Sequence, residues 1–234
     1  MTKGLCVKMS DLILALDCSL RWTNVAVLRD GDIFASKRLD IGRRQAAELP
    51  LVVESALSEA NGAFGDVGLV AVTNGPGYFT GIRVGASYAA ALAYGLGVKV
   101  APVSTLHMLA YSHILQSRPV LALVYAGRGR AYAASFGCAR HLNIADLPAG
   151  EYGGDQLAAW LSSREGPGWK DVFLVSDDPG KAVENLWPTP PQPVLQAPPD
   201  ASVVAKIAWN ARESGDVVSP MELKIFYHRD PQVG

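Results

Sequence analysis

Cysteine is scarce in this sequence and unpaired. Cys6, Cys18 and Cys138 are odd in number and form no CxxC pair, which argues against a disulfide framework or a zinc knuckle and suits a reducing, cytoplasmic setting. An excess of one charge sign is also lacking. The 21 Lys and Arg stand against 22 Asp and Glu, a formal net charge of -1, so no basic surplus marks a nucleic-acid binder. Long apolar runs are missing too: the run at 12–16 stops at Asp17, too short for the core of a secretory signal. The low-charge stretch 84–98 falls short of the roughly 18 to 20 apolar residues that cross a bilayer, and no membrane contact is expected. His107, His113, His141 and His228 make no HExxH or HxxxH pair, so no metal site is expected and each reads as a surface or capping histidine.

What is present is ordinary globular material. The 234 residues, 49% hydrophobic and 18% charged, suffice for one large domain or two small, closely packed ones. Apolar runs at 12–16, 24–28, 33–39 and 67–73 read as strands, the middle two turned at Asp30-Gly31. Between them, Ala46, Leu49, Val52, Val53, Ala56, Leu57 and Ala60 repeat at helical spacing, with Pro50 in a first turn or at a kink. A Gly-rich loop, a helix over 82–96 and a short strand at 99–100 complete a first α/β unit. Ser104 caps a helix over 106–115, and strands at 120–125 and 131–136 flank Gly127-Arg128-Gly129. Short helices at 154–161 and 181–186 flank a strand at 172–175, and a last amphipathic helix covers 202–213. Six prolines from Pro188 to Pro199 predict an irregular connection. The second half repeats the plan of the first.

The segment richest in chemistry is Asn74-Gly75-Pro76-Gly77-Tyr78-Phe79-Thr80-Gly81-Ile82-Arg83-Val84-Gly85, where glycines join a strand to a helix. Its GxGxxxG spacing is neither the dinucleotide fingerprint nor a Walker A loop. Two readings stand open: a tight structural turn, or a loop whose N–H groups approach an anion. Asp17 and Ser19 at the end of the first strand could hold a metal-bound phosphate or water, but satisfying the N–H groups of their own turn is the favoured local reading. Gly85-Ala86-Ser87-Tyr88-Ala89 nearly matches a GxSxG elbow, but it lies inside a helix and no base accompanies Ser87. Gly81, Gly85, Ala89, Ala93 and Gly97 recur every four residues, a smooth stripe suited either to another chain's helix or to the lobe's own sheet.

The string GPGYFTGIRVG resembles the GPGSFTGLRIG signature of the bacterial TsaB family, a subunit of the machinery that makes threonylcarbamoyladenosine in tRNA, with Tyr78 in place of Ser. LILALDCS resembles that family's opening strand and Asp-Thr-Ser turn, with Cys18 for Thr. VKVAPVSTLHMLA resembles its GIPVVGVSSLEALA segment, and SPMELK its Pro-x-Tyr-Leu-Arg, with Glu222 and Lys224 as departures. Where the family reads Asp-Ala-Arg-x-Gly-Glu-Val-Tyr, residues 125–132 read YAGRGRAY, without the Asp, Arg and Glu. The resemblance is to a diverged member.

It implies a two-lobed α/β fold like that of actin, Hsp70 and sugar kinases, each lobe a mixed RNase H-like sheet with helices. The expected lobes are 1–104 and 105–234, the last helix packing back on the first. Asp17, Ser19, Gly75, Gly77, Thr80 and Gly81 become vestigial phosphate-facing positions, with no tightly bound cofactor and ATP or ADP confined to a complex interface. Leu51, Val52, Ser55, Gly81, Arg83, Gly85, Ala89 and Ala93 become the partner-facing surface. The function implied is a non-catalytic cytoplasmic subunit, with no catalytic residue of its own. It supports a TsaD-like enzyme beside a TsaE-like ATPase, forms a homodimer when alone, and meets tRNA through the complex. Against it stands an ATP-dependent phosphotransferase or ATPase of the same fold. A peptidase, once assigned to this superfamily, is weakened by the missing metal ligands.

Overall fold

Leu12–Asp17 is apolar at every position but its last, and in the computed structural model this strand, β1, is buried on both faces. Leu12, Leu14 and Leu16 enter one core and Ile13 and Ala15 another, as the two-residue period of a strand requires. The structure describes residues 12–114, 118–137, 147–163, 172–187 and 189–226. Cys6, Cys138, His141 and His228 lie outside the described residues.

The chain continues through β2 (Thr23–Arg29), β3 (Asp32–Leu39), α1 (Gln45–Glu59), β4 (Val67–Thr73), α2 (Phe79–Leu96), β5 (Lys99–Val103) and α3 (Thr105–Ile114). It then forms β6 (Val120–Gly127), β7 (Arg130–Phe136), β8 (Gly150–Gly153), α4 (Gly154–Ser162), β9 (Phe173–Ser176), α5 (Pro179–Leu186), β10 (Val194–Gln196) and α6 (Ala201–Ser214). Among the described residues two five-stranded sheets result, ordered β3-β2-β1-β4-β5 and β8-β7-β6-β9-β10. In each, the first strand runs antiparallel to the second and parallel to the fourth. This is the two-lobed mixed-sheet α/β plan that the resemblance implies.

Three apolar cores stack the layers. α1 and α2 cover the outer face of the first sheet, and α4 and α5 the outer face of the second. Between the sheets lie α3 and α6: α3 packs on β6, β7 and β9, and α6 on β1, β2 and β5. Leu106, Leu109, Val204 and Ala208 fill this middle core with Ile13, Ala71, Ala122 and Val175.

The β2–β3 turn places Asp30 at φ 52° and Gly31 at φ 88°, the geometry that an Asp-Gly hairpin selects. Elsewhere the structure extends or amends the sequence reading. α2 begins at Phe79, three residues earlier than its apolar period suggests, because Gly81 is already helical. β5 runs on to Val103, its Pro102 lying in an edge strand, where a missing donor is tolerated. The proline-rich segment is not wholly irregular, since β10 pairs parallel to β9 between Pro193 and Pro198. Gly153 caps α4, and Asp155 lies in its first turn.

Candidate functional site

Asp17 ends β1 with no exposure at all, and its carboxylate is saturated from within the lobe. Its Oδ1 accepts hydrogen bonds from the Ser19 amide (3.0 Å), the Ser19 hydroxyl (2.6 Å) and the Thr73 hydroxyl (2.7 Å), and its Oδ2 accepts one from Asn24 Nδ2 (2.9 Å). Four donors offset the desolvation of a buried charge. Ser19 is equally inaccessible. Asp17 and Ser19 thus tie β1 to β2 and β4, their polar atoms engaged within the turn and its neighbouring strands. Between them, the Cys18 thiol is pushed up to about 12 by burial and by the neighbouring Asp17 charge, far from the reactive thiolate range.

The Gly-rich loop packs on this same turn. The Tyr78 amide donates to the Ser19 carbonyl at 2.7 Å. A Cβ on Gly77 would collide with the Ser19 carbonyl oxygen, and one on Gly81 with that of Cys18. Gly75, at φ +112°, offers its carbonyl to the Thr105 amide at 2.9 Å and leaves no room for a side chain beside the Phe226 carbonyl, 2.8 Å from its Cβ direction. The two stretches that carry the resemblance are thus complementary surfaces, glycine against backbone. Gly75 and Gly81 are buried with Asp17 and Ser19, whereas Thr80 is exposed and Gly77 half-buried.

The small-residue stripe needs correction as a docking surface. A Cβ on Gly85 would lie 3.3 Å from Cys18 Cβ. Ala89, Ala93 and Val52 are buried in one core with Leu12, Leu14 and Leu16. Small side chains let α2 approach its own sheet, so Gly81, Gly85, Ala89, Ala93 and Val52 present nothing to another chain. Gly97, exposed at φ +69°, ends the helix. Leu51, Ser55 and Arg83 do face outward, and Leu51 is 60% exposed, Phe79 43% and Tyr94 72%. Arg83 stacks on Phe79 at 3.7 Å from the ring centre. Tyr88 is held above the usual tyrosine range by burial and by the Glu54 charge, which places α2 and α1 side by side along this outer face.

In the second lobe, the segment lacking the family's Asp, Arg and Glu is a hairpin turn. The Tyr125 hydroxyl donates to Asn185 Oδ1 at 3.1 Å, and Arg130 pairs with Glu151 at 2.5 Å. The histidines of α3 are not surface caps: His107 stacks on Phe136 and His113 tilts against Phe173, and burial lowers both below the usual histidine range. Among the described residues no group of three or more His, Cys, Asp or Glu could hold a metal ion.

Open space lies on two sides of Tyr78. One hollow, of about 670 Å³, is lined by Arg21, Asp40, Gln45, Thr80 and Gly81. A cleft of about 550 Å³ separates Leu20, Arg21, Trp22, Arg38 and Tyr78 of the first lobe from Asp177, Asp178, Lys181 and Gln196 of the second. Asp178 caps α5 through the Lys181 amide (3.2 Å) and pairs with Lys181 Nζ at 3.1 Å. Asp177, at the end of β9, is pushed up to about 6 by burial and by the adjacent Asp178 charge. Sequence reasoning missed these residues. The only local signal is an Asp before Pro179, a helix-start mark that says nothing of the opposite wall.

Residues 40–170 match the model of TsaD, tRNA N6-adenosine threonylcarbamoyltransferase. The TsaB protein of Bacillus subtilis is 29% identical over 120 residues, 51% of this chain and 52% of that protein. The tRNA N6-adenosine threonylcarbamoyltransferase of Desulfitobacterium hafniense is 33% identical over 135 residues, 49% of this chain and 40% of that one. The chain thus spans about half the length of these curated relatives. Among solved structures, a Pseudomonas aeruginosa protein described as similar to the peptidase YeaZ superposes at a TM-score of 0.78 with 25% identity, covering 94% of this chain and all of that one. YeaZ of the same organism superposes at 0.76.

Proposed function

The chain belongs to the TsaD family, as a diverged member of its TsaB branch, and from that premise we propose that it is a catalytically silent partner subunit supporting a TsaD-like enzyme in threonylcarbamoyladenosine modification of tRNA. The observation that carries this reading is the saturated, buried Asp17. The carboxylate turn that an enzyme of this fold would aim at a phosphate is spent on holding three strands together. What the first lobe offers outward is a surface: Leu51 and Ser55 on α1, Phe79, Arg83 and Tyr94 on α2. That mix of aromatic, aliphatic and Arg side chains is the composition of an interface centre.

On this reading the α1–α2 face meets the TsaD-like subunit, and a homodimer uses the same face when that partner is absent. A TsaE-like ATPase joins the assembly, ATP or ADP is held only where subunits meet, and tRNA is reached through the complex. Cytoplasmic placement follows from the tRNA substrate; no helix among the described residues is long and apolar enough to cross a membrane. The competing phosphotransferase needs a carboxylate beside the cleft and a second Gly-rich nucleotide loop. Asp177 meets the first demand, but the loop after β9 reads Ser176-Asp177-Asp178-Pro179-Gly180, and the Asp17 turn is closed.

The test is to mix the chain with its cognate TsaD-like protein, follow the mass by size exclusion with light scattering, and assay modified tRNA with and without the chain. A stoichiometric complex that raises tRNA modification, with no ATP turnover by the isolated chain, is expected. Absence of any complex, or ATP turnover near one per second lost in Asp177→Asn, would replace this reading with the phosphotransferase.

A further inference from the structure

We propose that the groove at the β5 edge of the first sheet receives a tryptophan side chain from a partner protein. Val218 exchanges backbone hydrogen bonds with Val100 of β5 at 3.0 and 2.8 Å, after which the chain turns through 220–222 and returns to Asn74. Between this segment and β5 lies a groove of about 590 Å³, lined by Asn74, Pro102, Val218, Met221 and Phe226 with the charged Glu222 and Lys224. Met221 is 81% exposed and Phe226 56%, two large apolar side chains that the fold leaves uncovered. Asn74 is only 2% exposed. Its amide donates to the Val103 carbonyl at 3.0 Å, and its carbonyl accepts from the Phe226 amide at 2.9 Å. Its side-chain Nδ2 donates to the Lys224 carbonyl at 3.1 Å, which fixes which way the carboxamide is turned. Its Oδ1 has no donor among the described residues. The unmet demand of this groove is therefore for a hydrogen-bond donor.

The occupant has to bring an apolar body for Met221 and Phe226 and one N–H for Asn74, with no charge or acceptor of its own to bury. Tryptophan has that inventory, since its indole N–H donates and the ring offers no acceptor atom. The ring packs edge-on or offset against an aromatic such as Phe226, and a thioether such as that of Met221 is a favourable neighbour for it. Leu, Ile or Phe would fill the groove and leave Oδ1 unmatched. Lys or Arg would have to shed water from a charge beside Lys224, and Asn or Gln would add an acceptor to be desolvated. An exposed aromatic anchor seated in a pocket is also the usual energetic centre of a protein interface.

Titration of the full, nitrogen-15-labelled chain tests this by two-dimensional NMR, with four blocked tripeptides as probes: acetyl-Ala-Trp-Ala-amide, the same peptide methylated on the indole nitrogen, and the corresponding Leu and Arg peptides. The tryptophan peptide is expected to shift the Asn74 side-chain NH2 signals and the amides of 221–226 saturably, with a dissociation constant below about 5 mM. The methylated peptide, which keeps the ring and loses the donor, should bind at least about fivefold more weakly, and the Leu peptide more weakly still. Met221→Asp, at an exposed position, should weaken the tryptophan peptide about fivefold without moving the thermal midpoint. Asn74→Leu should bind the two tryptophan peptides alike; if that variant does not fold, the methylated peptide and Met221→Asp carry the test. The proposal is overturned by no saturable shift up to about 10 mM, by equal affinity of the methylated peptide for the parent chain, by tighter binding of the Arg peptide, or by unchanged affinity in Met221→Asp. Concentration-dependent shifts of the same signals without peptide would overturn it in favour of a second copy of this chain. Neither a TsaD-like enzyme nor tRNA takes part, so the outcome is independent of complex formation.

Discussion

Gly77 sits against the carbonyl of Ser19 so closely that a Cβ on it would overlap that oxygen, and the Tyr78 amide beside it donates to the same carbonyl at 2.7 Å. The glycine is required by close backbone approach and not by an unusual φ, since among the loop glycines only Gly75 is left-handed. Gly77→Ala and Gly81→Ala are each expected to force the turn and α2 apart at about 1 to 3 kcal/mol, read as a fall in the thermal midpoint. Gly95→Ala, with nothing within 4 Å of its Cβ, should leave the midpoint level or raise it, as expected in a helix interior. Equal midpoints for all three variants would refute the packing role.

Asp17→Ala leaves Thr73, Asn24 and Ser19 donors buried without an acceptor, at about 2 to 4 kcal/mol in total. Thr73→Val removes a single hydrogen bond to a charged acceptor, at about 1 to 3 kcal/mol. Urea unfolding should rank Asp17→Ala below Thr73→Val, and both below the parent chain. The opposite order would mean that the carboxylate is not the centre of this junction.

Much of the fold was legible, because strand period and turn chemistry are local. The span 67–73 coincides with β4, and Asp30-Gly31 marks the β2–β3 hairpin. The sites were less so. Gly81, Gly85, Ala89 and Ala93 line one face of α2 whichever surface they meet; what decides is Cys18 and the leucines of β1, more than sixty positions away, and no local pattern encodes that contact. The strands β8 and β10, at four and three residues, are too short to show a period. The cleft joins Arg38 to Asp177, residues that only the tertiary fold brings to one cavity. The Gly-rich signature was correctly singled out, but its identity alone could not say whether its glycines make room for a phosphate or for the protein's own backbone.

The raised Asp177 carboxyl has a definite pH signature. Its ordinary value of 3.8 is lifted to about 6 in the folded chain, so the folded state holds the proton more tightly than the unfolded state. Its contribution to stability is therefore most favourable below 3.8 and declines as pH rises towards 6, beyond which ionisation in the cleft is fully unfavourable. Asp177→Asn should raise the unfolding midpoint at pH 7.5, raise it less or not at all at pH 4, and flatten the profile between. A variant with the parent profile would show that the group is solvated and unperturbed.

The outer face of α1 and α2 can be separated from the stripe beneath it by two substitutions with opposite expected outcomes. Ala89 has no exposure and lies in the core with Leu14 and Val70, so Ala89→Trp inserts a ring where packing is already complete. It should lower the thermal midpoint sharply or abolish folding, with partner binding lost only as a consequence. Leu51 is 60% exposed, so Leu51→Asp costs the isolated chain little, within about 0.5 kcal/mol for a surface change. If the α1–α2 face is the interface, the same substitution should leave circular dichroism and the midpoint unchanged while weakening association with the TsaD-like partner by at least about tenfold, the cost of a charge buried in an apolar contact. Arg83→Glu, beside Phe79 on the same face, should act in the same direction. Wild-type association by both folded variants would move the interface off this face altogether.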